Sequence, residues 1–539
     1  MQNEMLIRNA MVFDGVRDDA FAGYVAVGGG RILSVGPGDG AEYERGGVRV
    51  VDANGGTVMA GFHDSHTHLL MAGMFDTHVN LAGCRSEAES VAKVAASAEA
   101  AADTWVIGFG WHDAFWDEKR LPTFKSLDAA FPNRPVMLLN AEAHGVWVNS
   151  RALEIAGIGA HTEDPFGGEI VRLIGGRPSG VLLEGACGLV TRYAYEFDAD
   201  REKALIRSFM RRAAAYGVTS VNDVMPFFHG NIGHIPVYSD MDRAGELTVR
   251  IHAAPDLLGD LDEVLSWQSG YSSDRLRVAH VKQFLDGVST AHTALMLEPY
   301  SDSAGGTGAR LFPLDEIREA VSEAHRRGLS VKLHSCGDAS VRFALDCYEE
   351  AIRRYGDGRS RHAIEHCELV ADADIPRFGN LGVLPSVQPE HLALTRTFAE
   401  NPYRVTMGEA RAARTWPLKS LLLSAGRLSI GSDCPVTDNN PFPGIYRAVT
   451  RVHDDGEPKG GWNPAEKLTL AEVLRGYTIG SAWGALRAHE LGSLEPGKFA
   501  DIAVIDRDLF AAARAGDYES IKEAQTNLTI MDGKVVYER

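Results

Sequence analysis

The feature that most constrains the fold is the alternation of strand-like runs and helical patterns through the central part of the chain. Strands that alternate with helices form parallel βα units, because a parallel connection must cross over the sheet. A (β/α)8 TIM barrel needs eight such units. The pattern predicts an α/β protein with a barrel over residues 59–484. The candidate strands are residues 57–62, 136–141, 218–223, 248–253, 278–284, 331–334, 362–366, 383–387 and 428–432.

One candidate strand is in excess of the eight that a barrel needs. The run VMLLNA at 136–141 lies within a stretch, from about residue 75 to 200, that is rich in tryptophan, proline and glycine and lacks a regular βα rhythm. We predict that this stretch is a large insertion covering the barrel mouth, and that residues 218–223 form the second barrel strand.

The two ends of the chain share a different texture. Residues 1–58 contain short β-rich runs broken by glycine clusters, and residues 485–539 contain similar runs such as NLTIMDGKVVYER. Glycine-punctuated short strands are typical of an antiparallel sheet. We predict that both termini pair to build one small β-sandwich domain.

Charge and cysteine content restrict the partners and the compartment. The formal charge of −19 repels nucleic acid and anionic membranes, and no basic run offsets it locally. The six cysteines include no CxxC pair, the start does not resemble a signal peptide, and no run of about 18 apolar residues indicates a membrane span. We expect reduced thiols, a cytoplasmic homo-oligomer, specifically a dimer, and a small-molecule substrate, with neither nucleic acid nor membrane as a partner.

Polar side chains mark the carboxyl ends of five predicted barrel strands, where the loops of barrel enzymes converge. The segment GFHDSHTH follows the first strand, and residues two apart on a strand point to the same face. An HxH pair alone is a weak signal, but the set of nitrogen and oxygen ligands suits zinc, manganese or iron. The candidate metal ligands are His66, His68, Lys282, His334, His366 and Asp433.

Lys282 has two interpretations. It lies mid-strand in RVAHVKQFLDGV, where a bare ammonium would be costly unless it is paired. It could form a buried salt bridge with Asp286 or Glu365. Alternatively, carbon dioxide could carboxylate its amine, which would then be an anion able to bridge two metals.

A resemblance to a known family covers nearly the whole chain. The chain resembles the amidohydrolase superfamily, and within it the branch of N-substituted formamide deformylases (amidohydrolase family 3). The matching stretches are GFHDSHTHL, RPVMLLNAEAHGVWVNSRAL, PSGVLLE, VKQFLDG, LHSCGD, IEHCELV, SVQPEH, GSDCPV and LGSLEPGKFADIAVID.

The resemblance implies a metal-dependent hydrolase that cleaves a carbon–nitrogen bond, other than a peptide bond, in a formamide or acylamide. It implies two divalent ions, taken to be zinc. His66, His68 and Asp433 would hold the more buried ion, His334 and His366 the outer one, and N6-carboxylated Lys282 would bridge them. A hydroxide between the metals would be the nucleophile, with Asp433 moving the proton to the leaving nitrogen.

Further site residues are expected in the insertion and on strand 7. His144 matches a histidine of the branch's insertion motif and could donate to the substrate carbonyl, or it could be a surface loop histidine. Gln388 could line the mouth or merely end a strand. Trp111 and Trp116 are candidates for an apolar substrate pocket, although buried packing is the usual role of such side chains.

Two other functions remain open. A deaminase or cyclic-amide hydrolase could use the same scaffold, although deaminases of this superfamily commonly use one metal and lack the strand 4 lysine. A non-catalytic scaffold protein is the alternative from another class, and such relatives usually lose ligands that are all present here.

Overall fold

The computed structural model describes residues 4–98, 104–113, 116–141, 143–227, 230–303, 305–395 and 397–539. These residues form a mixed α/β structure with four β-sheets. All six cysteines are unpaired, as the sequence predicted. Within the described ranges, none of the helices combines the length and apolar character needed to cross a membrane.

The N-terminal strands belong to an antiparallel-rich sheet that the C-terminus completes. Its inward side chains, such as Val12 and Val25, form a separate apolar cluster. The N-terminal strands are β1 (Met5–Phe13), β2 (Phe21–Gly28), β3 (Arg31–Pro37), β4 (Arg49–Asp52) and β5 (Thr57–Ala60).

The chain passes into a parallel sheet at Gly61. A Cβ at this position would lie 2.3 Å from Oγ1 of Thr219, so only glycine allows the close approach. The next strand, β6 (Phe62–Thr67), contains most of the histidine-rich segment and leads into α1 (Leu69–Phe75). The sequence pattern predicts one strand at 57–62 with the histidines after it. The structure instead divides that run between two sheets, and His66 lies within the strand itself.

The insertion forms a six-stranded sheet of order β11-β12-β10-β9-β8-β7, although its sequence lacks a regular rhythm. The excess run at 136–141 is β9 of this sheet and belongs to neither parallel sheet. The strands are β7 (Val79–Asn80), β8 (Val106–Trp111), β9 (Val136–Asn140), β10 (Gly145–Val148), β11 (Gly168–Arg172) and β12 (Pro178–Glu184). The helices are α2 (Glu87–Ala98), α3 (Phe124–Ala130), α4 (Ser150–Ile155) and α5 (Gly188–Ala194).

Two parallel sheets follow, of orders β15-β14-β13-β6 and β16-β17-β18-β19-β20. Their strands are buried on both faces, as in sheets covered by helices. Parallel bridges between Asp256 and Lys282, and between Thr67 and Cys434, connect the edges of the two sheets. The strands are β13 (Val218–Val224), β14 (Arg250–Ala254), β15 (Leu276–Val278), β16 (His280–Phe284), β17 (Ser330–Ser335), β18 (Ala363–His366), β19 (Leu384–Val387) and β20 (Ser429–Ile430).

Helices alternate with these strands. In α9, for example, Ile317, Val321 and Ala324 share one buried face at helical spacing. The helices are α6 (Ala199–Ala215), α7 (Ile235–Arg243), α8 (Leu261–Gly270), α9 (Leu314–Arg326), α10 (Asp338–Tyr355), α11 (Ile375–Leu381), α12 (Tyr403–Thr406), α13 (Gly408–Ala412), α14 (Leu418–Ala425), α15 (Pro441–Thr450), α16 (Leu470–Arg475) and α17 (Ser481–Gly484).

The C-terminal strands complete the first sheet, as the shared texture of the two ends predicted. Strand β21 pairs antiparallel with β5, and the whole sheet has eight strands. The last elements are β21 (Ile502–Ile505), α18 (Leu509–Ala515), α19 (Tyr518–Lys522), β22 (Thr526–Met531) and β23 (Lys534–Glu538).

Candidate metal centre

Three predicted ligands meet at the end of β6. His66 lies within β6, His68 directly precedes α1, and Asp433 follows β20. The Nε2 atoms of His66 and His68 lie 3.2 Å and 3.4 Å from Oδ1 of Asp433. Burial would raise the pKa of Asp433, but the two histidines outweigh it and hold the pKa well below its ordinary value. The HxH pair therefore converges on one ionised carboxylate.

A buried ion pair fixes the ring of His66. Its Nδ1 lies 2.7 Å from Oε2 of Glu365, while Lys332 Nζ donates to Oε1 of Glu365 at 2.7 Å and to the carbonyl of Ser65 at 2.8 Å. Burial would lower the pKa of His66, but the carboxylates of Glu365 and Asp433 raise it. Anchoring one ring nitrogen on a carboxylate directs the other toward a ligand position, as is usual for metal-binding histidines.

His334 and His366 lie on adjacent strands beside this group. The ring centroids of His334 and His366 are 4.2 Å apart. The ring centroid of His366 lies 5.0 Å from the ring centroid of His66. Burial lowers the pKa of both side chains well below the ordinary value of histidine. Both imidazoles are therefore neutral, which is the form that binds metals.

Lys282 lies on β16 with its side chain fully buried. Its Nζ lies 4.5 Å from the ring centroid of Phe284 and has no hydrogen-bond partner among the described residues. Neither salt bridge considered from the sequence forms, because Glu365 bonds Lys332 and Asp286 accepts hydrogen bonds from a hydroxyl and backbone amides. Burial lowers the pKa of Lys282 to about 8. The amine is thus buried without a bonded anion.

The backbone is strained at two of these positions and at Glu184, the last residue of β12. His366, Asp433 and Glu184 adopt φ values of 73°, 59° and 49°. Residues other than glycine rarely adopt positive φ, and each instance costs on the order of 1–3 kcal/mol. Such strain clusters at functional sites, where the surrounding structure holds a side chain in a required position.

A cavity of about 400 Å³ opens onto this cluster. His66, His68, His334, His366 and Asp433 all contribute to its wall. The remaining wall is largely apolar, which suits a small molecule with a hydrophobic group. Its apolar side chains include Met71, Phe227, Phe284, Val288, Leu394, Pro402, Tyr403, Pro435 and Val436.

His144 lines the same cavity and is not an exposed loop histidine. Its Nδ1 lies 2.7 Å from Oε2 of Glu184, and its ring centroid is 6.2 Å from that of His334. Glu184 closes the stretch PSGVLLE, and its role was not predicted from the sequence. The available signal was an acidic residue closing an otherwise apolar strand.

The predicted substrate residues lie elsewhere. Trp111 and Trp116 are buried against Trp147, with ring centroids 6.0–6.1 Å apart, and form the core of the insertion instead of the cavity wall. The burial of Trp111 and Trp116 is therefore explained by packing of the indole rings against one another. Gln388 is fully buried and precedes a 3₁₀ helix, outside the cavity wall, and its amide has no hydrogen-bond partner within the described residues.

His391 is a site residue that the sequence analysis missed. It lies in the 3₁₀ helix Pro389–Ala393 after β19 and lines the cavity. Its Nε2 is 3.8 Å from Oδ2 of Asp433. The motif SVQPEH had been noted, and a histidine soon after an apolar strand was the same signal that identified His334 and His366.

The donor set fits a divalent metal ion. His66, His68 and Asp433 place one ligand atom each within 4.8 Å of one another, and so do His366, His391 and Asp433. The Nε2 atoms of His366 and His391 are buried and lack hydrogen-bond partners in the part of the chain that the structure describes. Buried polar atoms normally have a partner, and this nitrogen and oxygen set suits zinc, manganese or iron. A third group within the same distance comprises Asp286, His334 and Cys336.

Known proteins resemble this chain over nearly its whole length. The family model described as "Amidohydrolase family" matches residues 49–537. N-substituted formamide deformylase of Arthrobacter pascens is 31% identical over 99% of this chain and 98% of its own, and protein LONG AFTER FAR-RED 3 of Arabidopsis thaliana is 31% identical over 99% and 91%. The crystal structure of an uncharacterized metal-dependent hydrolase from Pyrococcus horikoshii OT3 has a TM-score of 0.76 at 25% identity and covers 94% of this chain and 98% of that one.

Proposed function

Because the chain belongs to the amidohydrolase family, we propose that this hydrolase cleaves the carbon–nitrogen bond of a formamide or acylamide. The observation that carries the proposal is the convergence of His66 and His68 on Asp433 in a largely apolar cavity that also contains His334 and His366. The name of the Arthrobacter pascens relative supports the formamide type of bond.

The proposed centre holds two divalent ions, with zinc as the first candidate. His66, His68 and Asp433 would hold one, His334 and His366 would hold the other, and N6-carboxylated Lys282 would supply a further anionic ligand. The unbonded amine of Lys282 supports this assignment, since carboxylation would replace a buried ammonium with an anion that metals bind. Such ions lower the pKa of water from 15.7 to about 7 and polarise a carbonyl oxygen.

The chain's own side chains then orient the substrate and move the proton. Asp433 is held ionised, so a carboxylate oxygen can accept a proton from the attacking water and return it to the leaving nitrogen. His144, held at Nδ1 by Glu184, donates from its other ring nitrogen to the substrate carbonyl when the ring is protonated at both nitrogens. The apolar wall binds a hydrophobic substituent and limits access of other water.

The proposal includes the closed form of the fold. Counting β15 and β16, separated by one residue, as a single strand gives the eight strands of a (β/α)8 barrel over 59–484. The edge bridges support closure. Residues 1–58 and 485–539 would be the β-sandwich domain.

The compartment, the oligomeric state and the partners remain predictions from the sequence. We expect a cytoplasmic dimer that acts on a small molecule and binds neither nucleic acid nor membranes.

A substrate screen tests the function. Metal-reconstituted protein is incubated with N-formyl, N-acyl and cyclic amides, and release of amine is measured. Turnover of the acyclic amides is the expected result. Turnover of cyclic amides alone, or release of ammonia from an amino-substituted ring, would establish the alternative activities instead.

Substitutions of two proposed ligands test whether this site carries out the reaction. His334→Ala and Asp433→Asn should abolish turnover with the far-UV circular dichroism spectrum unchanged. His489→Ala, on an exposed histidine, is the matched control and should retain activity. Full activity in either site variant would refute the assignment.

A further inference from the structure

The two carboxylate oxygens of Asp433 face different histidines. Oδ1 lies 3.2 Å and 3.4 Å from the Nε2 atoms of His66 and His68. Oδ2 lies 3.8 Å from Nε2 of His391. His391, His366 and Asp433 form a second group whose ligand atoms are all within 4.8 Å. Asp433 is therefore shared by two separate sets of imidazoles.

The ring of His391 has the environment of a metal ligand. The side chain is 5% exposed, and the ring bonds the backbone of Ser432. Its Nε2 is buried at the cavity and has no hydrogen-bond partner among the residues described. His66 shows the same pattern, with Nδ1 on Glu365 and Nε2 toward Asp433. Metal-binding histidines characteristically bond a carbonyl or carboxylate through one nitrogen and leave the other for the ion.

His334, the ligand expected for the second ion, differs in this respect. Its Nε2 lies 3.2 Å from the carbonyl oxygen of Gly287 and 3.4 Å from Sγ of Cys336. That nitrogen already has polar neighbours in the protein. The corresponding atoms of His366 and His391 do not, within the described residues, so the second group has two nitrogens without a partner.

We propose that His391 is a ligand of the second metal ion, together with His366. The inference rests on the proposed two-metal function and adds a ligand that the family resemblance does not assign.

Metal content tests the assignment independently of activity. Wild-type protein, His391→Ala and His112→Ala are loaded with zinc, freed of excess metal, and analysed for zinc per chain. His112 lines the same cavity but belongs to none of the ligand groups, so its variant is the matched control. We expect two ions in the wild type and the control. The His391→Ala protein should retain one, or bind the second at least about 10- to 100-fold more weakly, the loss typical when even an indirect partner of a metal is removed.

The outcomes separate the two proposals. Two tightly bound ions in His391→Ala would overturn the role of His391 and leave the proposed function intact. A single ion in the wild type would refute the two-metal centre itself. Should His391→Ala not fold, anomalous scattering from wild-type crystals at the zinc edge decides the matter. The second peak should lie about 2.0–2.1 Å from Nε2 of His391, and a second peak without His391 in contact would contradict the inference.

Discussion

Strands β16 and β17 each carry a buried lysine at the same level of the sheet, and the two lysines have opposite environments. Lys282 and Lys332 are direct partners in the parallel register and are 0% and 2% exposed. Lys332 donates to Glu365 and to a backbone carbonyl. Lys282 has the ring of Phe284 near its Nζ and no hydrogen-bond partner in the described part of the chain.

The difference separates a positioning residue from the residue that we propose to be carboxylated. A buried ammonium is stable only where an anion and hydrogen-bond acceptors compensate it. Lys332 has these, and it holds Glu365, which in turn orients His66. Lys282 lacks them, so burial lowers its pKa to about 8 and favours the neutral amine, the form that would attack carbon dioxide in the proposed carboxylation. Lys282 and Lys332 are the same type of residue, and both are buried. They differ because only Lys332 is bonded to a carboxylate, that of Glu365.

The largest expected effect is the loss of activity in Lys282→Ala. If the modified lysine bridges the metals, its removal should forfeit several kcal/mol of transition-state stabilisation, a decrease of about 10³-fold in kcat/KM. Adding formate or acetate should restore part of the rate, because a short carboxylate can occupy the space left by the side chain. Activity close to wild type without added carboxylate would remove Lys282 from the catalytic centre.

Lys332→Met should instead affect stability. Removing one partner of a buried ion pair costs about 3–5 kcal/mol, because Glu365 would lose its lysine and keep only the contact with His66. Lys282→Met is the matched control, and replacing an unpaired buried amine should leave the free energy of unfolding unchanged or raise it. Urea denaturation of both variants, free of metal, measures the difference. Equal losses in the two proteins would show that the lysines are equivalent.

The contrast also marks the limit of what the sequence predicted. Apolar runs with polar closing residues identified the parallel strands and the convergence of His66, His68 and Asp433, because strand periodicity and chain order determine which ends meet. The strand boundary at Gly61 was missed, since it depends on the approach of Thr219, far away in sequence. The regular sheet of the insertion was also missed, because its short strands have no repeating pattern.

Partners across the sheet could not be deduced from local patterns. Glu365 was considered as a partner of Lys282, whereas the register gives it to Lys332. His391 and Glu184 were overlooked, and Trp111 and Trp116 were considered for the cavity, because side-chain direction in loops and insertions follows from tertiary packing. The sequence can indicate which types of residue a site contains. Which charged groups pair with each other is known only from the structure.

Carboxylation should depend on pH in the manner set by Lys282. Only the neutral amine reacts, and with a pKa of about 8 roughly a tenth of it is neutral at pH 7, against less than about a thousandth for an ordinary lysine. Metal-free protein reconstituted in isotopically labelled bicarbonate should show one carbamate signal by carbon NMR in addition to that of the N-terminal amine. The signal of Lys282 should rise with pH and level off above about pH 8.5, and it should be absent in Lys282→Ala. A further lysine signal, or none in the wild type, would contradict the contrast between the lysines.

The smallest expected effect concerns Phe284, whose aromatic ring lies beside Nζ of Lys282. An ammonium near an aromatic face gains about 0.5–2 kcal/mol, so the ring should stabilise the charged form of Lys282. Phe284→Leu removes this contact while keeping the site apolar, and the pH midpoint of carboxylation should fall by about 0.4–1.5 units. Phe227→Leu, which changes another phenyl group of the cavity wall, should leave the midpoint unchanged. A midpoint that does not fall in Phe284→Leu would mean that burial alone distinguishes Lys282 from its neighbour.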